Sequence, residues 1–89
     1  MDEKAVRAIL VRGLEAGAVP QLFAPAARAA FLAGEDDLRF AALDMDSLAR
    51  MELCIAIELA TGVTIVPDEL GSYASAGELA RVLAARTGD

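Results

Sequence analysis

Residues 43–62 read Leu43-Asp44-Met45-Asp46-Ser47-Leu48-Ala49-Arg50-Met51-Glu52-Leu53-Cys54-Ile55-Ala56-Ile57-Glu58-Leu59-Ala60-Thr61-Gly62, and this stretch decides the fold. Asp46 and Ser47 are residue types that favour helix N-caps, and Thr61-Gly62 is a stop signal. The pattern predicts a helix from near Ser47 to about Ala60. At about 100° per residue, Leu53, Ile57 and Ala60 share one face, which suits a core. Leu48, Met51, Ile55 and Leu59 form a second apolar stripe on a roughly opposite arc, with Glu52 beside it. A helix apolar on two sides is either enveloped by its own chain or shares one side with a partner. Full envelopment is hard for a short chain, which buries only a modest fraction of its surface. The second stripe is therefore expected to face a partner, the alternative being that the connection 18–46 covers it.

Ser47 opens this helix. Unpaired N–H groups and the helix dipole favour a phosphate at such a position. Asp46 or Ser47 can also act as a plain cap, and on local physics alone the cap is the simpler reading.

On the N-terminal side, Val6, Ile9, Leu10 and Leu14 recur at helical spacing over residues 3–16, with Arg7, Arg12 and Glu15 on other faces and Gly17 as the stop. Gly13 costs that helix about 1 kcal/mol relative to alanine, a cost that close packing would offset. Residues 18–46 are too long to be structureless in a compact domain. Pro25 suits a first helical position, and the alanine-rich run 26–33 ends at Gly34, so a short helix is expected there. Glu35-Asp36-Asp37 reads as a solvated loop, and Leu38, Phe40 and Leu43 as anchors pinning its end to the core.

On the C-terminal side, Val63-Thr64-Ile65-Val66 is β-branched, but one short strand without a partner is unstable, so an extended connection is expected. Pro67-Asp68-Glu69 opens a short helical turn towards Tyr73. Ser75 and Glu78 make a capping box for a last helix, whose apolar face is Leu79, Val82 and Leu83. The fold class is all-α, a small four-helix bundle with a long loop between helices 1 and 2. Tyr73 is expected to pack with its hydroxyl near solvent.

Eight basic against fourteen acidic residues leave a charge of −6 on 89 residues, so nucleic acid and anionic membranes are poor partners, and proteins with basic patches good ones. Histidine is absent and Cys54 is the one cysteine, which excludes His–Cys metal clusters, Ser–His or Cys–His nucleophile pairs and internal disulfides. No metal site is expected. Cys54, on an apolar helix, reads as a buried inert thiol. Met1-Asp2-Glu3-Lys4 lacks the pattern of a signal peptide, and no apolar run reaches spanning length, so a cytoplasmic, monomeric single domain over 1–89 is expected.

Over nearly its whole length the chain resembles the phosphopantetheine-binding carrier superfamily, acyl carrier proteins in particular. Leu43 to Leu48 match the family's Leu-Gly-x-Asp-Ser-Leu motif except at Asp44. Met51-Glu52-Leu53 and Ile57-Glu58 resemble its second helix. Ile65-Val66-Pro67-Asp68-Glu69 resembles its Ile-Pro-Asp-Glu segment with one extra residue, and residues 75–83 resemble its last helix. The resemblance implies that Ser47 receives 4′-phosphopantetheine from coenzyme A through a separate transferase and that acyl groups ride on the arm as thioesters. It implies that Asp46 is the acidic neighbour of the attachment site. Glu52 and Glu58 would pair with basic docking patches of acyl-loading and acyl-processing enzymes, and Leu48, Met51 and Ile55 would supply the apolar contacts. The chain itself would be no enzyme.

Two departures bear on its role. Asp44 stands where the motif has glycine, which puts in question which transferase accepts the domain. Arg50 and the neutral Ala49, Leu59 and Ala60 make the recognition helix less acidic than in fatty-acid carriers. That favours polyketide, nonribosomal peptide or related specialised biosynthesis over housekeeping fatty-acid synthesis. An unmodified helical adaptor that uses the same stripe is the reading from a different class.

Overall fold

The computed structural model describes residues 1–17, 25–43 and 45–87. Asp2 starts α1 (Glu3–Ala16), its Oδ1 accepting from the Ala5 N–H at 2.8 Å. α2 (Pro25–Leu32) begins at the proline and closes at Gly34, whose φ of 79° a β-carbon would disfavour. A four-residue α3 (Phe40–Leu43) follows, within what the sequence marks only as a loop with anchors. α4 (Ser47–Thr61) ends at Gly62 in the left-handed region, its N–H on the Glu58 carbonyl at 2.9 Å. Residues 63–66 run without regular structure, as expected, into a 3₁₀ segment (Pro67–Ser72). In the last helix, α5 (Ala76–Thr87), Ser75 Oγ accepts from the Glu78 N–H, and Glu78 reaches back to the Ala74 N–H at 2.7 Å. The capping box thus forms with its return bond one residue early. Among the described residues there is no strand, so the all-α bundle holds, with α3 added to it.

The core lies between α1, α4 and α5, where Val6, Leu10, Leu14, Leu53, Ile57, Leu79 and Leu83 are fully buried and Phe31 of α2 closes one side. α1 and α4 touch almost backbone to backbone. A Cβ on Gly13 would stand 2.9 Å from Leu53 Cδ1, and one on Gly17 only 2.8 Å from Ala49 Cα. Close approach is thus the reason for glycine inside α1, as its helix-propensity cost suggested. Val11 joins the buried face while Ile9 stays half-exposed. Ala60 does not join the core. It is exposed and lines an open groove with Ile9 and Arg12, its methyl being too short to close the gap between the two helices there. Val82 is half-buried, and Ala76 and Ala80 fill the tighter part of the α5 face.

Arg7 lies off the apolar stripe read for α1, yet it is buried as well. It is 7% exposed, with its guanidinium stacked 4.5 Å from the Phe31 ring centroid. Nη1 donates to the carbonyls of Phe31 and Asp36, each at 2.9 Å, and Nε lies 3.7 Å from Glu3 Oε2. The acidic loop 35–37 is exposed, as the sequence reading has it, but it is tied to the fold at Asp37. Asp37 Oδ1 accepts from the N–H groups of Leu38 and Gly77, both at 2.8 Å, so the loop caps α5. Burial pushes the Asp37 carboxyl upwards, but the Ser75 hydroxyl, these two N–H groups and Arg7 outweigh it and hold the carboxyl below its ordinary value.

These contacts set three expectations. In urea denaturation, Leu53→Ala and Ile57→Ala lose about 2–5 kcal/mol, whereas Met51→Ala on the other stripe loses about 0.5 kcal/mol or less. Gly17→Ala loses about 1–3 kcal/mol, since its methyl meets backbone that cannot rotate aside. Because the folded Asp37 carboxyl is the stronger acid, its contribution is complete above the unfolded value of about 4 and disappears as pH falls through the folded one. Asp37→Asn therefore flattens stability against pH below about 4, relative to wild type, in the same denaturation series.

Candidate functional site

The start of α4 is held from two sides. Leu43, the last residue of α3, is buried just before it, and Ala49 is buried against Gly17 just after. Between them, Asp46 takes an extended backbone (φ −81°, ψ −178°), and its Oδ1 accepts from the Ala49 N–H at 2.8 Å. Its carbonyl accepts the first helical bond, from the Arg50 N–H at 3.1 Å. Asp46 is thus the cap. Ser47 occupies the first helical position, exposed, and none of the described residues bonds its hydroxyl. The departure at Asp44 lies outside the described residues.

Two faces of α4 separate cleanly. Leu53 and Ile57 are at 0% exposure, while Leu48, Met51, Ile55 and Leu59 are at 63%, 49%, 46% and 83%. The stripe beside Ser47 is therefore open, as one reading of the periodicity required. It extends onto Val66, 53% exposed, which the sequence treats only as part of a connection. Between α4 and that connection runs a groove of about 320 Å³ lined by Met51, Cys54, Ile55, Glu58, Ile65 and Val66. Glu52 is half-buried on the helix flank. Glu58 is exposed, and its Oε1 accepts from the Thr64 hydroxyl at 2.6 Å, which ties the connection to the helix. Cys54 is buried at the groove floor. Burial, and then the nearby Glu69 carboxylate, push its thiol above the ordinary value, so it remains protonated and unreactive at neutral pH.

A second groove of about 320 Å³, not announced by the sequence, lies between α3, α4 and the 3₁₀ segment, with Phe40, Met45, Arg50, Leu70 and Tyr73 on its walls. Helical periodicity cannot reveal it, because α3 has too few residues to show a period. Among the described residues no helix is long and apolar enough to cross a membrane.

The sequence profile described as the phosphopantetheine attachment site matches residues 26–83, from the start of α2 to within α5. No curated protein and no solved structure matches the chain significantly. The matched span covers well over half of the chain and includes the whole of α4. The chain belongs to the phosphopantetheine attachment family, whose domains are the site of covalent 4′-phosphopantetheine attachment.

Proposed function

We propose that Ser47 is the residue that holds the 4′-phosphopantetheine arm and that residues 1–89 form one acyl carrier domain without catalytic activity of its own. The observation that supports this most directly is the division of labour at the start of α4. Asp46 satisfies the helix N-terminus, so the Ser47 hydroxyl is exposed and unengaged among the described residues. The remaining first-turn N–H groups and the helix dipole suit the negative charge of a phosphodiester at that oxygen. The site therefore fits the group. The arm supplies a terminal thiol on which acyl groups are carried as thioesters.

In the modification, the Ser47 Oγ–H bond gives way to an Oγ–P bond as a P–O bond in the pyrophosphate of coenzyme A breaks. The nucleotide leaves with that bond's electron pair, and the serine proton passes to a base on the transferase. The carrier's own contribution is presentation. Buried Leu43 and Ala49 fix the direction of the first turn, and capped ends keep α4 rigid beneath an exposed hydroxyl. Leu48, Met51 and Ile55 offer partner enzymes an apolar strip, and Glu52 and Glu58 flank it with negative charge that attracts basic patches. With Arg50 in the first turn and neutral Leu59 and Ala60 near the end, this helix is only weakly acidic. That supports a dedicated polyketide, nonribosomal peptide or related pathway.

Incubation with coenzyme A, magnesium and a broad-specificity phosphopantetheinyl transferase is expected to add the mass of one arm, and Ser47→Ala to add none. Addition to Ser47→Ala, or none to wild type with several transferases, removes the proposal. Exposed ion pairs are worth about 0.2–1 kcal/mol. Glu58→Gln is accordingly expected to raise the transferase KM about 1.5- to 5-fold at low salt, an effect that disappears in steady-state assays at high salt.

A further inference from the structure

The two grooves at α4 lie on either side of the line through Ser47. At about 100° per residue, Arg50 falls about 60° to one side of Ser47, and Met51 and Ile55 about 40° and 80° to the other. The Met51–Ile55 groove also holds the Glu58 carboxylate. The opposite groove is walled by the carbon surfaces of Phe40, Met45 and Leu70 and holds Arg50 and Tyr73. Its volume of about 320 Å³ reaches the range of small-molecule sites, about 300–1,000 Å³. Arg50 follows Ser47 by three residues, which brings their Cβ atoms to about 5–6 Å on adjoining turns. Among the described residues Arg50 forms no ion pair, and Asp46, one turn before it, is engaged by the Ala49 N–H. An unengaged guanidinium thus borders an apolar groove, within side-chain reach of the hydroxyl that is to carry a phosphodiester.

We propose that Arg50 binds the phosphodiester at Ser47 and thereby lays the arm into the groove of Phe40, Met45, Leu70 and Tyr73. The inference rests on the assignment of Ser47 given above. Guanidinium–phosphate bonds are charge-assisted and can be bidentate, whereas the groove across the helix presents Glu58 to the same anion. Arg50 is a positioning residue in this account. An arm resting on its side leaves Leu48, Met51 and Ile55 clear, so a partner can dock before the arm is withdrawn.

The test is isotope-filtered NMR on labelled protein bearing an unlabelled arm, after mass spectrometry has confirmed loading. Cross-peaks from the arm to Phe40, Leu70 and Tyr73 are expected without any cargo. Arg50→Gln should lose them, and Arg50→Lys, which keeps the charge without the fork, should keep part of their intensity. Apo spectra of both variants establish that the fold is retained. Cross-peaks to residues 64–66 instead, none at all, or the same set in Arg50→Gln overturn the inference. Loading the thiol with butyryl or succinyl groups separates two anions: cross-peaks that appear only with succinyl place a cargo carboxylate, not the phosphodiester, on Arg50 and also overturn it. Failure to load removes the assignment of Ser47, whereas a loaded arm that ignores Arg50 removes only this step.

Discussion

The approach of α1 to α4 determines where everything else in the domain can stand. Gly13 of α1 and Gly17, the cap that follows it, are about one helical turn apart, and each leaves space that residues of α4 fill at contact distance, Leu53 and Ala56 against the first and Ala49 against the second. Ala49 lies two residues after Ser47, so the contact that brings the helices together also fixes the first turn of α4. A larger residue at Gly17 would push that turn outwards and carry Ser47 with it. With the crossing in place, Leu10, Leu14, Leu53 and Ile57 close the core from two sides, and α5 adds Leu79 and Leu83. Packing alone thus places the exposed serine and its apolar strip on the outer side of a rigid helix.

A second constraint holds the long connection to this frame. The Arg7 guanidinium, stacked on Phe31 and bonded to the Phe31 and Asp36 carbonyls, replaces lost hydration with specific partners. Asp37 then links the same loop to the start of α5 through the Gly77 N–H, at a place where a Cβ on residue 77 would stand 2.6 Å from Asp37 Oδ1. The loop's exit is thereby set, and α3 delivers Leu43 into the core immediately ahead of α4. Stability in acid and the position of α4 are connected through this one carboxylate.

Much of this was legible from the residues. Helix ends followed their signals because Pro25, Gly34, Gly62 and Ser75 act through local backbone geometry, which sequence records directly. The two faces of α4 were legible because fifteen residues sample a helical period several times. Arg7 and Asp37 were not, since their partners lie 24 to 40 residues away and nothing local announces a buried guanidinium. Ala60 misled for a related reason: periodicity assigns a face but does not say whether the neighbouring helix closes over it. At the site, Ser47 and the stripe were visible in sequence. The choice between Asp46 and Ser47 as cap needed coordinates, as did the groove that contains Arg50.

What distinguishes this helix start from an ordinary one is that its cap and its exposed hydroxyl belong to different residues. Family membership explains why such a hydroxyl would be displayed, and the open strip beside it explains how enzymes would find it. The central claim is the residue that bears the arm, and protein isolated from its native host tests it most directly. Intact mass followed by fragmentation of the peptide spanning α4 should show phosphopantetheine, with or without an acyl group, on Ser47. Protein uniformly lacking the modification, or an arm localised to Ser72 or Ser75, would contradict the account.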